Sequence, residues 1–225
     1  NRNLLVVNDS TFTENTSAKR GGAVMNATVD VQNIATFTAT STLFSENMAS
    51  TGFGGAVYND EGFVSFDSST FAQNTFVMDG GAVYSNGTFT SNASTYSGNT
   101  ADSKGGALFN DTDKLACSTE DLFTGNQAYN GGAVFNKGTF TSNSSTFSGN
   151  TSSSGGALFN DRDKLASSTE DLFIGNTAAN GGAVYNSGTF TSNTSTFSGN
   201  TTTSINGGGA LHNADDKLAI VNGST

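Results

Sequence analysis

The stretch Gly-Gly-Ala-Val-Tyr-Asn occurs twice without change, at residues 54–59 and 181–186. Close copies begin at six further glycines: Gly21, Gly80, Gly105, Gly131, Gly155 and Gly208. The eight copies start 33, 26, 25, 26, 24, 26 and 27 residues apart. Self-similarity at a nearly fixed short period is typical of a stacked repeat architecture.

A second motif accompanies the first, an aromatic residue followed three positions later by asparagine. Its eight copies are Phe12/Asn15, Phe44/Asn47, Phe71/Asn74, Tyr96/Asn99, Phe123/Asn126, Phe147/Asn150, Phe173/Asn176 and Phe197/Asn200. Between the two motifs lies a short apolar run. It reads Gly-Thr-Phe-Thr-Ser-Asn from Gly87, Gly138 and Gly188, and Asp-Lys-Leu-Ala from Asp113, Asp163 and Asp216. The alternation lays a doubled period over the short one.

These runs predict an all-β parallel β-helix, or solenoid, of about eight coils with three short strands per coil. No window has a sustained helical period, so almost no helix is expected. Residues 1–225 are predicted to form a single repeat domain, expected to be a segment of a longer protein. Coils in residues 1–79 are irregular and those in 80–225 regular. The long first spacing predicts a loop or bulge around residues 34–41.

Together, the Gly-Gly-Ala-Val/Leu and Phe-x-x-Asn motifs resemble the repeats of chlamydial polymorphic outer-membrane proteins over nearly the whole chain. The resemblance implies a right-handed β-helix of the pectin-lyase-like kind, displayed outside the cell and often adhesive. We therefore expect an extracellular or cell-surface structural or adhesive protein. Self-association, or contact with neighbouring subunits or domains of a surface assembly, is the expected partnership, with glycans as a further possibility.

Composition restricts the function. The net charge is −10 and only nine residues are Lys or Arg, which argues against a nucleic-acid partner. No stretch approaches the length of an apolar membrane helix, so membrane insertion within this segment is not expected. The lone Cys117 is interpreted as a small buried thiol. No cofactor or metal is predicted.

In a β-helix, equivalent residues of successive coils form columns. We expect the Phe-x-x-Asn aromatics to face inward and the asparagines to form hydrogen-bonded ladders. The aliphatic residue after Gly-Gly-Ala is placed inward, which turns the next position outward. An exposed outer aromatic column is thus the predicted interaction surface: Tyr58, Tyr84, Phe109, Phe135, Phe159 and Tyr185. Bare apolar ridges of this kind mark interaction sites.

Several alternatives remain open. Thr-x-Thr pairs at Thr88/Thr90, Thr139/Thr141 and Thr189/Thr191 have the spacing of ice-binding surfaces, but Lys114/Ala116 and Lys164/Ala166 stand between them. Acidic turns at Asp111/Asp113, Glu120/Asp121, Asp161/Asp163 and Glu170/Asp171 are read as solvated, with calcium binding as the alternative.

Glycosylation and catalysis complete the alternatives. If the chain is a secreted eukaryotic protein, the best glycosylation acceptors are Asn92, Asn143 and Asn193. A polysaccharide lyase is disfavoured because a catalytic site should break the repeat. The acids that do so, Asp60, Glu61 and Asp67, have no arginine nearby in the sequence. We predict that the chain is not an enzyme.

Overall fold

The computed structural model describes residues 3–29 and 32–225, and all their regular structure is β. Neighbouring strands pair in parallel, coil upon coil. The strands are β1 (Leu4–Asn8), β2 (Thr11–Thr13), β3 (Thr16–Ser17), β4 (Val24–Ala27), β5 (Thr36–Thr40), β6 (Leu43–Ser45), β7 (Met48–Ala49), β8 (Val57–Asp67), β9 (Thr70–Ala72), β10 (Thr75–Phe76), β11 (Val83–Asn92), β12 (Thr95–Ser97), β13 (Thr100–Ala101), β14 (Leu108–Asn110), β15 (Leu115–Thr119), β16 (Leu122–Thr124), β17 (Val134–Asn136), β18 (Thr139–Asn143), β19 (Thr146–Ser148), β20 (Thr151–Ser154), β21 (Leu158–Asn160), β22 (Leu165–Thr169), β23 (Leu172–Ile174), β24 (Thr177–Asn180), β25 (Val184–Asn186), β26 (Thr189–Asn193), β27 (Thr196–Ser198), β28 (Thr201–Thr202), β29 (Leu211–Asn213) and β30 (Leu218–Asn222). The predicted all-β parallel β-helix is confirmed.

Each coil has three sides. The Gly-Gly-Ala strands and the strands that follow them share one 15-stranded sheet, because β8 and β11 run through both positions. The Phe-x-x-Asn strands form a second sheet of eight strands, which stack in seven steps. The third side consists of very short strands just before Gly-Gly-Ala, in sheets of four and three strands. The three strands predicted for each coil therefore occupy only two of its sides, and the third side is formed by residues just before Gly-Gly-Ala. Three strands per coil still fits the structure.

The Gly-Gly pair is required by the backbone. Gly105 has φ +64°, a left-handed conformation that favours glycine. A Cβ on Gly106 would overlap the carbonyl oxygen of Gly132 in the next coil. The first glycine therefore makes the corner, and the second allows coils to stack at β-sheet spacing.

The aliphatic residues after Gly-Gly-Ala face the core, as predicted. Val57, Val83 and Leu108 are completely buried in the main cluster. The aromatic ladder lies beside them, with Phe147 stacked between Phe123 at 4.9 Å and Phe173 at 4.8 Å. Burial of these rings supplies the main hydrophobic stabilisation.

Both asparagine ladders are present, and the one in the Gly-Gly-Ala motif is interrupted at Ser85. In the Phe-x-x-Asn motif, Nδ2 of each asparagine donates to Oδ1 of the next, at 2.8–3.0 Å from Asn15 through to Asn200. The same Oδ1 also accepts the backbone N–H of the preceding asparagine, as between Asn99 and Asn126. Since buried polar groups must be paired, this ladder fixes the register of the coils.

The long first spacing is accommodated elsewhere than predicted. Residues 36–40 form strand β5, paired with both β1 and β8, so they are not a loop or bulge. The extra residues lie earlier, between the end of β4 at Ala27 and the start of β5 at Thr36. Residues 30–31 of this stretch are outside the described part of the chain. Extra residues are accommodated between two strands more easily than within a paired strand.

Candidate interaction surfaces

The outer aromatic column faces away from the main core, as predicted. Its rings form a separate cluster and stack face to face, with centroids 4.7 Å apart for Tyr84 and Phe109 and 4.8 Å for Phe135 and Phe159. The stack continues through Tyr185 to His212, 4.9 Å away. It is a second aromatic ladder on the outside of the coil.

The predicted exposure of this column is wrong for four of its six residues. The exposed fractions of Tyr58, Tyr84, Phe109 and Phe135 are 4%, 7%, 2% and 2%. Stacking covers the ring faces. Residues just before the Gly-Gly pairs cover much of the rest: the Arg20 guanidinium lies 4.7 Å from the Tyr58 ring centre and the Lys104 ammonium 5.1 Å from that of Phe135.

The remaining two rings are more open. Phe159 and Tyr185 are half-buried. Arg20 and Lys104 each cover the ring of the following coil. The equivalent positions for Phe159 and Tyr185 hold Asn130 and Ser154, whose side chains are shorter. The column therefore ends in a partly open aromatic edge rather than running as a bare ridge.

The Thr-x-Thr face has a different register from the predicted one. Thr139 and Thr141 pair with Leu115 and Cys117 of the neighbouring coil, not with Lys114 and Ala116. Ala116 points inward instead, opposite the buried Phe140. Because leucine alternates with threonine along this column, the face has no continuous threonine lattice.

The proposed acidic turns are dispersed by the fold. Asp111 accepts a hydrogen bond from the Tyr84 hydroxyl. Asp113 forms an ion pair with Lys164 at 2.6 Å, and Asp163 forms one with Lys217 at 2.7 Å. Among residues 3–29 and 32–225, no three His, Cys, Asp or Glu side chains converge as a metal site would require.

Asp121 and Asp171 are not in solvated turns, which corrects the sequence interpretation. Their exposed fractions are 1% and 0%. They belong to an interior column of small polar residues one coil apart: Thr42, Ser69, Ser94, Asp121, Ser145, Asp171, Ser195 and Ser224. In each step a backbone N–H donates to the side-chain oxygen of the next coil, for example Ser94 to Asp121 at 2.8 Å.

Burial raises the pKa of both carboxyls to about 6, and hydrogen bonds offset part of the effect. The Ser118 hydroxyl donates to Asp121 at 2.7 Å, and Ser168 makes the same contact with Asp171. The sequence carried one signal for this column. Asp121 occupies the slot, two residues before the aromatic, that Ser145 occupies in the next coil.

Of the acids that break the repeat, Asp60 has an arginine beside it, which corrects the sequence interpretation. Arg20 lies 3.4 Å from Asp60, from which it is separated by 40 residues in sequence. Coil stacking brings the two together over the Tyr58 ring, whose pKa is raised to about 12 by burial and by Asp60. Asp67 lies at the far end of β8, the strand that contains Tyr58 and Asp60, and accepts a hydrogen bond from Asn92.

The predicted glycosylation acceptors end strands on one face. Asn92 and Asn143 are exposed and Asn193 is half-buried. Their glycosylation stays a prediction. Cys117, expected to be buried, lies half-exposed on the outer face and its sulfur accepts a hydrogen bond from Thr141.

Residues 3–29 and 32–225 contain no helix that could span a membrane. Comparison with family models matched the Chlamydia polymorphic membrane protein repeat at residues 9–27, 41–60 and 122–137. Each matched stretch contains an aromatic-x-x-Asn motif and the Gly-Gly-Ala motif after it. Searches of curated proteins and of solved structures found no match. The chain thus carries repeats of the Chlamydia polymorphic membrane protein type, wound into a parallel β-helix.

Proposed function

We propose that this chain is a rigid, non-enzymatic building block of a protein displayed on the cell surface, with a structural or adhesive role. The observation that carries the proposal is the unbroken asparagine ladder from Asn15 to Asn200. Its seven steps span about 34 Å at β-sheet spacing. A ladder that pairs every coil with the next favours a stiff rod, and the repeat match points to the cell surface.

The distribution of charge supports a non-enzymatic role. The acids Asp113 and Asp163 are held in ion pairs, and Asp121 and Asp171 lie in the interior. A hydrolase or lyase needs its acids and bases to converge on one accessible cleft. The ion pair of Arg20 with Asp60, which breaks the repeat, packs against an aromatic ring instead.

The test is antibody labelling of intact and permeabilised source cells, with antibodies raised against this chain. Equal labelling of both is expected from a surface protein. Labelling only after permeabilisation would overturn the surface location. The purified chain, incubated with acidic polysaccharides, should release no unsaturated oligosaccharides. Release that disappears in Asp60→Asn would establish an enzyme instead.

A further inference from the structure

The third side of the β-helix carries a trough that runs along the helix axis. Two adjoining depressions of about 300 and 420 Å³ share Thr100 and Asp102. The floor consists of buried residues of the short strands, such as Phe76 and Ala101. Each wall has one residue from each of five successive coils, including Thr75, Thr100 and Gln127 in one wall and Val77, Asp102 and Tyr129 in the other. Five rungs at β-sheet spacing give a length of about 19 Å.

The chemistry of the walls is mixed. The Tyr129 ring is 64% exposed and Val77 50%. Within residues 3–29 and 32–225, the side chains of Thr75, Thr100 and Gln127 form no hydrogen bond to the rest of the chain. The trough therefore offers apolar surface together with hydroxyl and amide groups that are free to bind.

Backbone geometry argues against an extended peptide as the ligand. A peptide adds to a sheet through unpaired main-chain groups at a strand edge. Here the backbone N–H groups of Thr100 and Gln127 already donate to the preceding coil, at 3.0 and 2.9 Å. The trough also crosses the strands instead of following one, so a peptide lying in it would leave its own amides unpaired.

We propose that this trough binds a neutral glycan chain laid along the helix axis. An extended glycan advances per hexose by a distance close to one rung, so successive sugars would meet the equivalent hydroxyl or amide of successive coils. The apolar face of one sugar would pack on Tyr129, whose ring presents an apolar surface and a polar tip. Among the described residues that line the two depressions, Asp102 alone is charged, so the lining has no Lys or Arg to pair with an acidic sugar. The glycan proposal names a ligand class for the adhesive role proposed above, and it rests on that role.

The experiment uses the purified chain on an array of neutral, sialylated and uronic-acid oligosaccharides. Titration calorimetry with the best neutral tetra- to hexasaccharide follows. Binding to neutral glycans is expected. Tyr129→Ser should weaken it at least about tenfold, a loss of about 1.4 kcal/mol. Tyr129→Phe should retain most of it, because the ring rather than the hydroxyl packs on the sugar.

Leu165→Ser is the matched control, since Leu165 is 53% exposed on another side and should leave binding unchanged. Thermal melts check that each variant is folded. The proposal fails if no neutral glycan binds, if acidic glycans bind better, or if Tyr129→Ser binds as well as the wild type. If no glycan binds but intact cells are labelled, the glycan ligand is ruled out and the proposed surface role stands. Glycan binding without surface labelling would remove the surface role alone.

Discussion

Ser85 stands in a column that is otherwise asparagine. Asn59 donates to its hydroxyl oxygen at 3.2 Å, and the hydroxyl donates to the Gly87 carbonyl at 3.1 Å. Ser85 therefore has no amide group that could donate to Oδ1 of Asn110 in the next coil. This oxygen is buried and has no hydrogen-bond partner. In the regular coils that oxygen accepts from the preceding asparagine, as Asn136 does from Asn110 at 2.8 Å. A buried acceptor without a partner is destabilising.

Ser85→Asn should repair the ladder. We expect the free energy of unfolding to rise by about 1 kcal/mol, because the new Nδ2 satisfies Asn110. The reciprocal change, Asn136→Ser, creates the same break in a regular coil and should lower stability by about 1–3 kcal/mol. Denaturant unfolding of both variants measures the effect. A loss of stability in Ser85→Asn would show that the site is shaped for serine.

Core and surface positions of one coil should differ sharply in tolerance. Phe147 is fully buried and stacked on both sides, so Phe147→Ala should lower the free energy of unfolding by about 3–5 kcal/mol. Thr139 faces outward, and Thr139→Ala should cost less than about 0.5 kcal/mol. Denaturant melts compare the two variants. Equal losses of unfolding free energy in the two variants would contradict the assignment of Phe147 to the core and Thr139 to the surface.

At the scale of the element, the two buried carboxylates make stability depend on pH. The folded-state pKa of Asp121 and Asp171 is about 6, above their ordinary value of 3.8. The folded chain therefore binds more protons than the unfolded chain between these values. The contribution of each carboxyl group to the free energy of unfolding is fully present below about pH 4. It is lost as the pH rises through about 6, by roughly 3 kcal/mol per group.

The melting temperature should accordingly rise when the pH is lowered from 7 to 5. Serine occupies the equivalent slots in neighbouring coils, so the double variant Asp121→Ser, Asp171→Ser should fold normally. It is expected to melt higher than the wild type at pH 7 and to lose most of the pH dependence over this window. Glu120→Ser with Glu170→Ser, both exposed, is the control and should leave the dependence in place. A flat wild-type profile between pH 5 and 7 would contradict the prediction.

The same element shows where sequence reasoning succeeds and where it stops. Alternation and spacing predict the inward Val57 and Phe147, because their columns contain one kind of side chain. The sequence interpretation of Asp121 is wrong because this residue follows Glu120, and two adjacent acids normally indicate a solvated turn. Arg20 and Asp60 meet only through stacking, and a single sequence does not give the coil register between residues 40 positions apart.

At the scale of the whole molecule, the outer aromatic column changes character along the axis. In the middle coils Phe109 and Phe135 are sealed by neighbouring rings and by Lys104. Towards the later coils Phe159 and Tyr185 are half-buried. Contact between neighbouring copies or domains, expected from the sequence for the full column, is therefore now proposed for this later part alone, because only accessible apolar surface can drive association.

The last prediction separates packing from association within one column. Phe159→Ser with Tyr185→Ser should leave the circular dichroism spectrum unchanged and weaken self-association in sedimentation, since half-exposed rings are removed. Phe109→Ser with Phe135→Ser should mainly lower stability, by about 3–5 kcal/mol for each ring, because those rings are buried. If the first pair unfolds the chain as severely as the second, the whole column is packing. If it folds and associates like the wild type, copies do not meet along this column.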